Sequence, residues 1–402
     1  MIALALVAAQ AKVIVSEVLD PSVKRTRIEI VAGLSKLDRK EWAAVQTLGS
    51  AILRGTRSYT RFQLLQYATL AGDPIRVTVG PDHIRIGFSI PPSDMRLGVD
   101  LTDELVRGAL LGPDDVQTAL DELPFRRRST WSQAWLPQAI EPKGVTTEDV
   151  AAIYRKVFAP GNVSIAVGGS IGSGQSSPLL EKFADWKSKP EARRRYPDSA
   201  PSFVSSRGSK VTTITFEGLE VSAVPVVAAE GATSELPAVL LGVAMIGQGK
   251  GSTAFQVLRQ AHGWSYRQEA FLRGSEGGIR PVLAVGFASD PTPILDRAKG
   301  ELIKAVEGWT EADRVRALQI GKANQELNLG LGTLYFAEER PLSESLDDRT
   351  FLSAYWRLKT GRSWDHGQVT QASLEQARAA TLKWLKDGTV RVIRGAGGVP
   401  GG

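Results

Sequence analysis

The chain has 402 residues, a formal net charge of +6, three histidines and no cysteine. Without thiols it has no disulfide scaffold, no cysteine-based zinc or iron–sulfur site and no thiol nucleophile. His83, His262 and His366 are too far apart for a local His-x-x-x-His pair, and the small basic excess does not by itself indicate nucleic acid.

Met1 to Ala11 reads MIALALVAAQA, an apolar run ending in Ala-Gln-Ala. It fits either the remnant of an export signal or a first buried strand, so both a periplasmic (exported) and a cytoplasmic location stay open. No later stretch reaches the length of a membrane span. Arg27 to Val31 alternates with period two and predicts a strand. Glu41 to Leu53 places Trp42, Val45, Leu48 and Ile52 on one helical face. A second helix is expected over Thr60 to Ala71, and a hairpin over Pro74 to Val79 and His83 to Ile90 through Gly80-Pro81-Asp82. Arg96 to Leu111, Pro113 to Leu123 and Thr147 to Val157 predict helices, the last capped by Thr146 or Thr147. Val163 to Val167 reads as a closing strand and Leu179 to Trp186 as a helix. Ser188 to Lys210, rich in Pro, Arg and Ser, lacks any apolar period and reads as a linker.

The order then recurs. Val211 to Phe216 and Val224 to Ala228 predict strands, Leu236 to Ile246 and Thr253 to Gln260 helices, and Trp264 to Leu272 with Val282 to Ala288 a strand pair. Helices over 292–308 and 311–328 follow, Val390 to Ile393 closes the block, and Gly395 to Gly402 reads as a frayed tail. Thr60-Arg61-Phe62-Gln63-Leu64-Leu65 parallels Thr253-Ala254-Phe255-Gln256-Val257-Leu258, which an internal duplication explains. The expected organisation is a domain at 12–187, a linker at 188–209 and a second domain at 210–396.

Two glycine-rich segments lack the context of phosphate loops. Gly168 to Gly174 follows a strand but sits in no βαβ unit, and Gly247 to Ser252 places Gly251 between its Gly-Lys and Ser. Arg126 to Arg128 and Arg193 to Arg195 are short basic runs without interleaved aromatics and read as solvated.

Two longer stretches carry a resemblance. Tyr154 to Gly169 contains Phe158, Pro160, Asn162 and Gly168 in a "Tyr-x-Pro-x-Asn" element that runs into a strand. Ala244 to Ala270 places Gly249, Ser252, Phe255, Leu258, Arg259, Gly263 and Tyr266 on a "Gly-Gly-x-x-Ser-x-Leu-x-x-x-Leu-Arg-x-x-x-Gly-x-x-Tyr" pattern. Together they resemble the pitrilysin/insulinase family of zinc metallopeptidases, which includes the mitochondrial processing peptidase. The resemblance implies an α+β fold of two homologous domains, each a mainly antiparallel sheet with helices packed on one face.

Active members of that family carry H-x-x-E-H on the first long helix, with a later Glu completing the zinc site. Counted back from Gly55-Thr56, the motif falls on Gln46-Thr47-Leu48-Gly49-Ser50, which supplies neither histidine nor base. Glu122, on the helix of the third ligand, reads as a surface or helix-end carboxylate, and no zinc is expected in this chain. The family also uses an Arg, and a Tyr seven residues on, to contact the substrate backbone and support the transition state. Arg259 and Tyr266 have that spacing. The resemblance thus implies a non-catalytic subunit that supplies Arg259 and Tyr266 in trans to a homologous H-x-x-E-H partner holding the zinc, with peptide or unfolded polypeptide as substrate. A structural or assembly protein without a catalytic role, like the peptidase-derived core subunits of respiratory complexes, is the alternative; a self-associating peptide binder is a third.

Overall fold

The computed structural model describes residues 13–34, 37–70, 73–80, 82–126, 144–172, 174–186, 214–222, 227–228, 231–232, 235–275, 278–287, 291–326, 346–361 and 366–396. Met1 to Ala11, the 188–209 linker and the Arg193 to Arg195 run lie outside these residues. The chain divides into two units. The first takes in Met1–Leu123, Ile140–Arg195 and Arg349–Ser363; the second Pro124–Ala139, Tyr196–Asp348 and Trp364–Gly402.

The first unit is built on β1 (Ile14–Leu19), β2 (Thr26–Gly33), β3 (Arg76–Val79), β4 (His83–Ile90) and β5 (Val163–Gly169) in the order β1-β5-β2-β4-β3. β1 and β5 are parallel, and every other neighbouring pair is antiparallel. Strand alternation gives the sheet two faces of different chemistry. Ile28, Ile30, Ile84, Ile86, Phe88, Ile165 and Val167 form the apolar face. Against it pack Val45 and Leu48 of α1 (Arg39–Ala51), Leu101 and Leu105 of α3 (Met95–Arg107), Val116 of α4 (Pro113–Arg126) and Ile153 of α5 (Thr147–Val157). α2 (Arg61–Leu70) contributes Leu64 to the same core, and α6 (Ser177–Lys182) contributes Leu179. Asp38 with Glu41 and Thr146 with Asp149 make capping boxes that fix where α1 and α5 begin.

The other face carries charge. Arg27 and Glu29, both fully buried, are bonded through Arg27 Nε to Glu29 Oε1 at 2.9 Å, and Arg85 forks onto the same carboxylate at 2.9 and 2.8 Å. Arg27 also pairs with Asp73. α10 (Leu346–Thr360) lies over this face, where Phe351 stacks against the Arg85 guanidinium, 4.2 Å from ring centroid to Cζ. Ser353 hydrogen-bonds Ser16 at 2.9 Å, and Arg349 pairs with Asp20. At the far end, buried Asp82 accepts from Tyr355 Oη at 3.0 Å and pairs with Lys359 Nζ at 2.8 Å, while its backbone carbonyl takes a second Lys359 bond at 3.0 Å. His83 Nδ1 lies 2.8 Å from the same carboxylate.

The second unit repeats the plan with β6 (Ile214–Ser222), β9 (Ser265–Ser275), β10 (Gly278–Phe287) and β11 (Thr389–Ala396), plus the short β7 (Val227–Ala228) and β8 (Gly231–Ala232). Its antiparallel order β11-β6-β10-β9 matches β5-β2-β4-β3 of the first unit. A 3₁₀ turn leads into the next helix in both: Pro92–Asp94 before α3, and Thr292–Ile294 before α8 (Leu295–Glu307). A capped helix precedes each closing strand: α5 from Thr146, and α12 (Leu374–Asp387) from Ser373. α7 (Leu236–Gly247) is buried almost throughout, which explains its nearly unbroken apolar sequence. α9 is Glu311–Glu326 and α11 is His366–Gln371.

The two units are therefore duplicates of one antiparallel α+β design, as the sequence order predicts. The repeated hexapeptide is helical in both, but its faces differ. Phe62 is 73% exposed and Leu65 half-exposed, whereas Phe255 and Leu258 are buried. The second copy is wound as a π-helix, Phe255–Ala261, which turns a different face inward. Three helices, α10 to α12, occupy a stretch for which the sequence reading assigns no element. Gly395 and Ala396, expected in the tail, extend β11 instead.

Burial alone would raise the Asp82 carboxyl; the charge of Lys359 and the hydrogen bond with His83 outweigh it and hold it far below the usual range. Asp82 is thus fully stabilising above the unfolded carboxylate value near ~3.9, and that contribution is lost as pH falls towards its depressed folded value. Lys359→Met, which leaves Asp82 buried without its cation, is expected to cost about 3–5 kcal/mol in urea unfolding at neutral pH. Asp82→Asn is expected to flatten the acid limb of the stability profile.

Candidate functional site

Two places were expected to carry the chemistry: the helix that would hold zinc, and the Arg259/Tyr266 pair. They lie in different units.

The structure brings the zinc-helix positions together as the spacing requires, but with other residues. Gln46 to Ser50 lie on α1, and Glu122 lies on α4. Ser50 Oγ, where the second histidine would stand, donates to Glu122 Oε2 at 2.9 Å. Arg54, one turn further along the chain, bonds the other carboxylate oxygen. Its side chain is 6% exposed, so a buried guanidinium sits on the carboxylate that would be the third metal ligand. Thr47 turns its hydroxyl back to the Ala43 carbonyl at 2.9 Å. At Gly49, the place of the general base, an added Cβ would meet Val79 Cγ2 at 2.6 Å, so β3 closes the space a glutamate would need. The donor set does not fit zinc: one carboxylate already paired with a cation, one hydroxyl and no imidazole. Among the described residues no group of three or more His, Asp or Glu side chains could hold a metal. Glu122, expected as a surface or helix-end carboxylate, has a 38% exposed side chain near the end of α4 and also ties that helix to α1 through Ser50.

The first motif resolves into structural duties. Tyr154 Oη donates to the Leu105 carbonyl at 3.1 Å and accepts from the Ala109 amide at 3.3 Å, tying α5 to the end of α3. Burial pushes this phenol well above its ordinary range. Asn162 donates from its amide to Val157 and Gly33 carbonyls at 2.7 and 2.8 Å, pinning the α5–β5 turn to β2. Phe158 is buried in the core. The Gly168 to Gly174 loop is likewise settled internally. Glu17 accepts from the Gly174 and Ser176 amides at 3.1 and 2.9 Å, so a carboxylate of the chain itself occupies donors that a phosphate would need.

The second motif divides differently. Gly249 has φ +73°. Ser252 Oγ accepts from the Phe255 amide at 3.4 Å and opens the helix. Phe255 and Leu258 are buried. Gly263, at φ +61°, turns the chain from the π-helix into β9, with its amide bonded to Arg259 O at 3.0 Å and that of Trp264 to Leu258 O at 2.8 Å. These five residues build the turn. The remaining two point outward: Arg259 is exposed, and Tyr266 is 42% exposed. Arg259 Nη1 donates to the Tyr266 backbone carbonyl at 2.7 Å, and its guanidinium lies 5.5 Å from the Phe255 ring centroid. One of its five N–H donors is used by this bond, and its orientation is fixed.

Two copies of one sheet-and-helix unit, with an arginine–glutamate pair at the positions the zinc motif would occupy, set the class of fold. Residues 144–320 match the family described as Peptidase M16 inactive domain. A protease from Helicobacter pylori has the same fold, with TM-score 0.69 and 12% identity over 96% of this chain and 98% of that one. An M16 inactive domain from Pseudomonas fluorescens gives 0.65 and 14% over 95% of each chain. A putative M16-like peptidase from Alicyclobacillus acidocaldarius gives 0.63 and 15% over 96% of each. No curated protein matches the sequence. Taken together, these likenesses give residues 144–320 a match to the M16 inactive domain and the whole chain the fold of M16-like peptidases.

Restoring the motif by Gln46→His, Gly49→Glu and Ser50→His is expected to leave the chain without a tightly bound zinc equivalent in metal analysis, because Arg54 still holds Glu122 and Val79 still fills the place of the base. Arg54→Leu alone should lower stability by about 1–3 kcal/mol, the scale of a lost hydrogen bond to a charged group.

Proposed function

We propose that this protein is the non-catalytic subunit of a two-chain zinc peptidase, with Arg259 and Tyr266 contacting substrate that an H-x-x-E-H partner cleaves. The observation behind this reading is the division of labour within the second motif. Five of its matched residues are accounted for by the turn they build, and the two exposed ones have the chemistry to hold a peptide backbone. A guanidinium fixed on one side by the Tyr266 carbonyl offers its other donors to a substrate carbonyl. The Tyr266 phenol, on the second residue of β9, is a second hydrogen-bonding group beside that carbonyl. Both bonds would strengthen as charge builds on the carbonyl oxygen during attack. The partner supplies the metal and the base, and this chain supplies binding and orientation.

The refilled zinc helix agrees with that division. A chain whose catalytic place holds Arg54, Glu122 and Val79 contributes to hydrolysis only through another chain. An assembly role without catalysis is the outcome in which the pair proves dispensable.

The isolated chain is expected to cleave no peptide. Mixed with a homologous chain carrying an intact H-x-x-E-H, it should support cleavage of a quenched fluorescent peptide. Arg259→Ala should lower kcat/KM by about 10²–10³-fold, the cost of removing a transition-state donor, and Arg259→Lys should rescue little, because an ammonium cannot hold the carbonyl and reach substrate with one planar fork. Full activity in both Arg259→Ala and Tyr266→Phe would leave the assembly role standing instead.

A further inference from the structure

The turn that presents Arg259 and Tyr266 carries a second cationic group that the proposed function does not use. Trp264 stands between Gly263 and the start of β9, and its indole stacks with the His262 imidazole at 4.0 Å between centroids and 9° between planes. Arg297, in the first turn of α8, places its Cζ 5.2 Å from the Trp264 ring centroid. Arg297 is exposed, and among the described residues it makes neither an ion pair nor a hydrogen bond. Among the described residues its guanidinium is held by the ring alone, which leaves its N–H donors open to a ligand. Arg259 also lacks a carboxylate partner among the described residues. Trp264 directly precedes β9 and Tyr266 is the second residue of that strand, so both belong to one short segment. Two guanidiniums, each resting on an aromatic ring, thus serve one short segment.

We propose that Arg297, seated on Trp264, forms a carboxylate-binding subsite beside Arg259, taking an acidic side chain of a peptide held by Arg259 and Tyr266. This rests on the reading that the second unit contacts peptide. The chemistry favours a carboxylate for three reasons. A stacked guanidinium has already lost much of its rotamer freedom, so ordering it on a ligand costs little more. Its planar fork matches a carboxylate through two parallel charge-assisted bonds. The indole excludes water from one side of the cation, which strengthens the attraction relative to a fully solvated arginine. A basic peptide side chain at the same place would meet repulsion from both guanidiniums, so the subsite also discriminates by sign.

The test uses the full chain and short fluorescein-labelled peptides of one sequence, followed by anisotropy. One peptide carries an internal Glu and an amidated C-terminus, the second replaces Glu with Gln, and the third keeps Gln but has a free C-terminal carboxylate. The Glu peptide is expected to bind about tenfold more tightly than the Gln peptide, in line with the strength of a charge-assisted pair. Arg297→Gln should abolish that preference while leaving the affinity of the Gln peptide unchanged. Trp264→Leu, which removes the seat and keeps the charge, should reduce the preference. Gain in the third peptide rather than the first would assign the subsite to a C-terminal carboxylate and overturn its assignment to an acidic side chain. Equal binding of all three, or a Glu preference that survives Arg297→Gln, overturns the subsite and leaves peptide binding intact. Failure of every peptide to bind overturns the peptide-contacting reading and the subsite with it.

Discussion

The first unit depends on a buried carboxylate and the helix that neutralises it. Asp82 is sealed at the end of the sheet, and burying an unpaired carboxylate there would cost far more than a single favourable contact returns. Its cation arrives from α10, through Lys359, with Tyr355 adding a neutral bond. The same helix covers the charged face of the sheet, where Arg27, Glu29 and Arg85 are bonded to one another and Phe351 lies over Arg85. A chain segment more than two hundred residues downstream therefore completes this sheet, and the sheet's second face is polar because a helix with matching groups is built to lie on it.

That constraint also explains what the sequence disclosed and what it withheld. The alternating strands, most of the helices and the order of the two blocks follow from local periodicity and from the cap at Thr146, so the duplicated α+β plan was readable, although α10 to α12 were not. The destination of α10 was hidden too. Nothing within 346–360 names Asp82, Asp20 or Arg85 as its partners, since such pairing is a property of two distant segments. The charged pattern of β2 was equally silent, because Arg27 and Glu29 look solvated in sequence and only their mutual bonds make burial tolerable. The hexapeptide shows a subtler failure. Its letters repeat while its buried face does not, since π-winding changes which residues turn inward. Of the candidate site, the spacing of Arg259 and Tyr266 could be read from the sequence. The roles of Arg54 and Val79 could not, because neither residue belongs to any pattern of metal ligands.

At α1 and α4 the fold holds its helices together without a metal. Zinc in such a place does two things: it activates water, and its positive charge holds a carboxylate between helices. Only the first needs a metal. Arg54 supplies the second by setting a guanidinium against Glu122, and Ser50 adds a neutral donor. Val79 then fills the volume left by the base against Gly49.

The second unit presents a different surface at its helix-to-strand turn. A turn retained only for folding needs Gly249, Ser252, Phe255, Leu258 and Gly263, whose contacts and backbone angles are all internal. It does not need an exposed guanidinium fixed on the Tyr266 carbonyl, nor an exposed phenol beside it, and ordering a long charged side chain at the surface costs conformational entropy that one exposed hydrogen bond barely offsets. A ligand that takes the remaining donors would supply what the fold alone leaves unbalanced. The aromatic seats of Arg259 and Arg297 lower that entropic cost in advance.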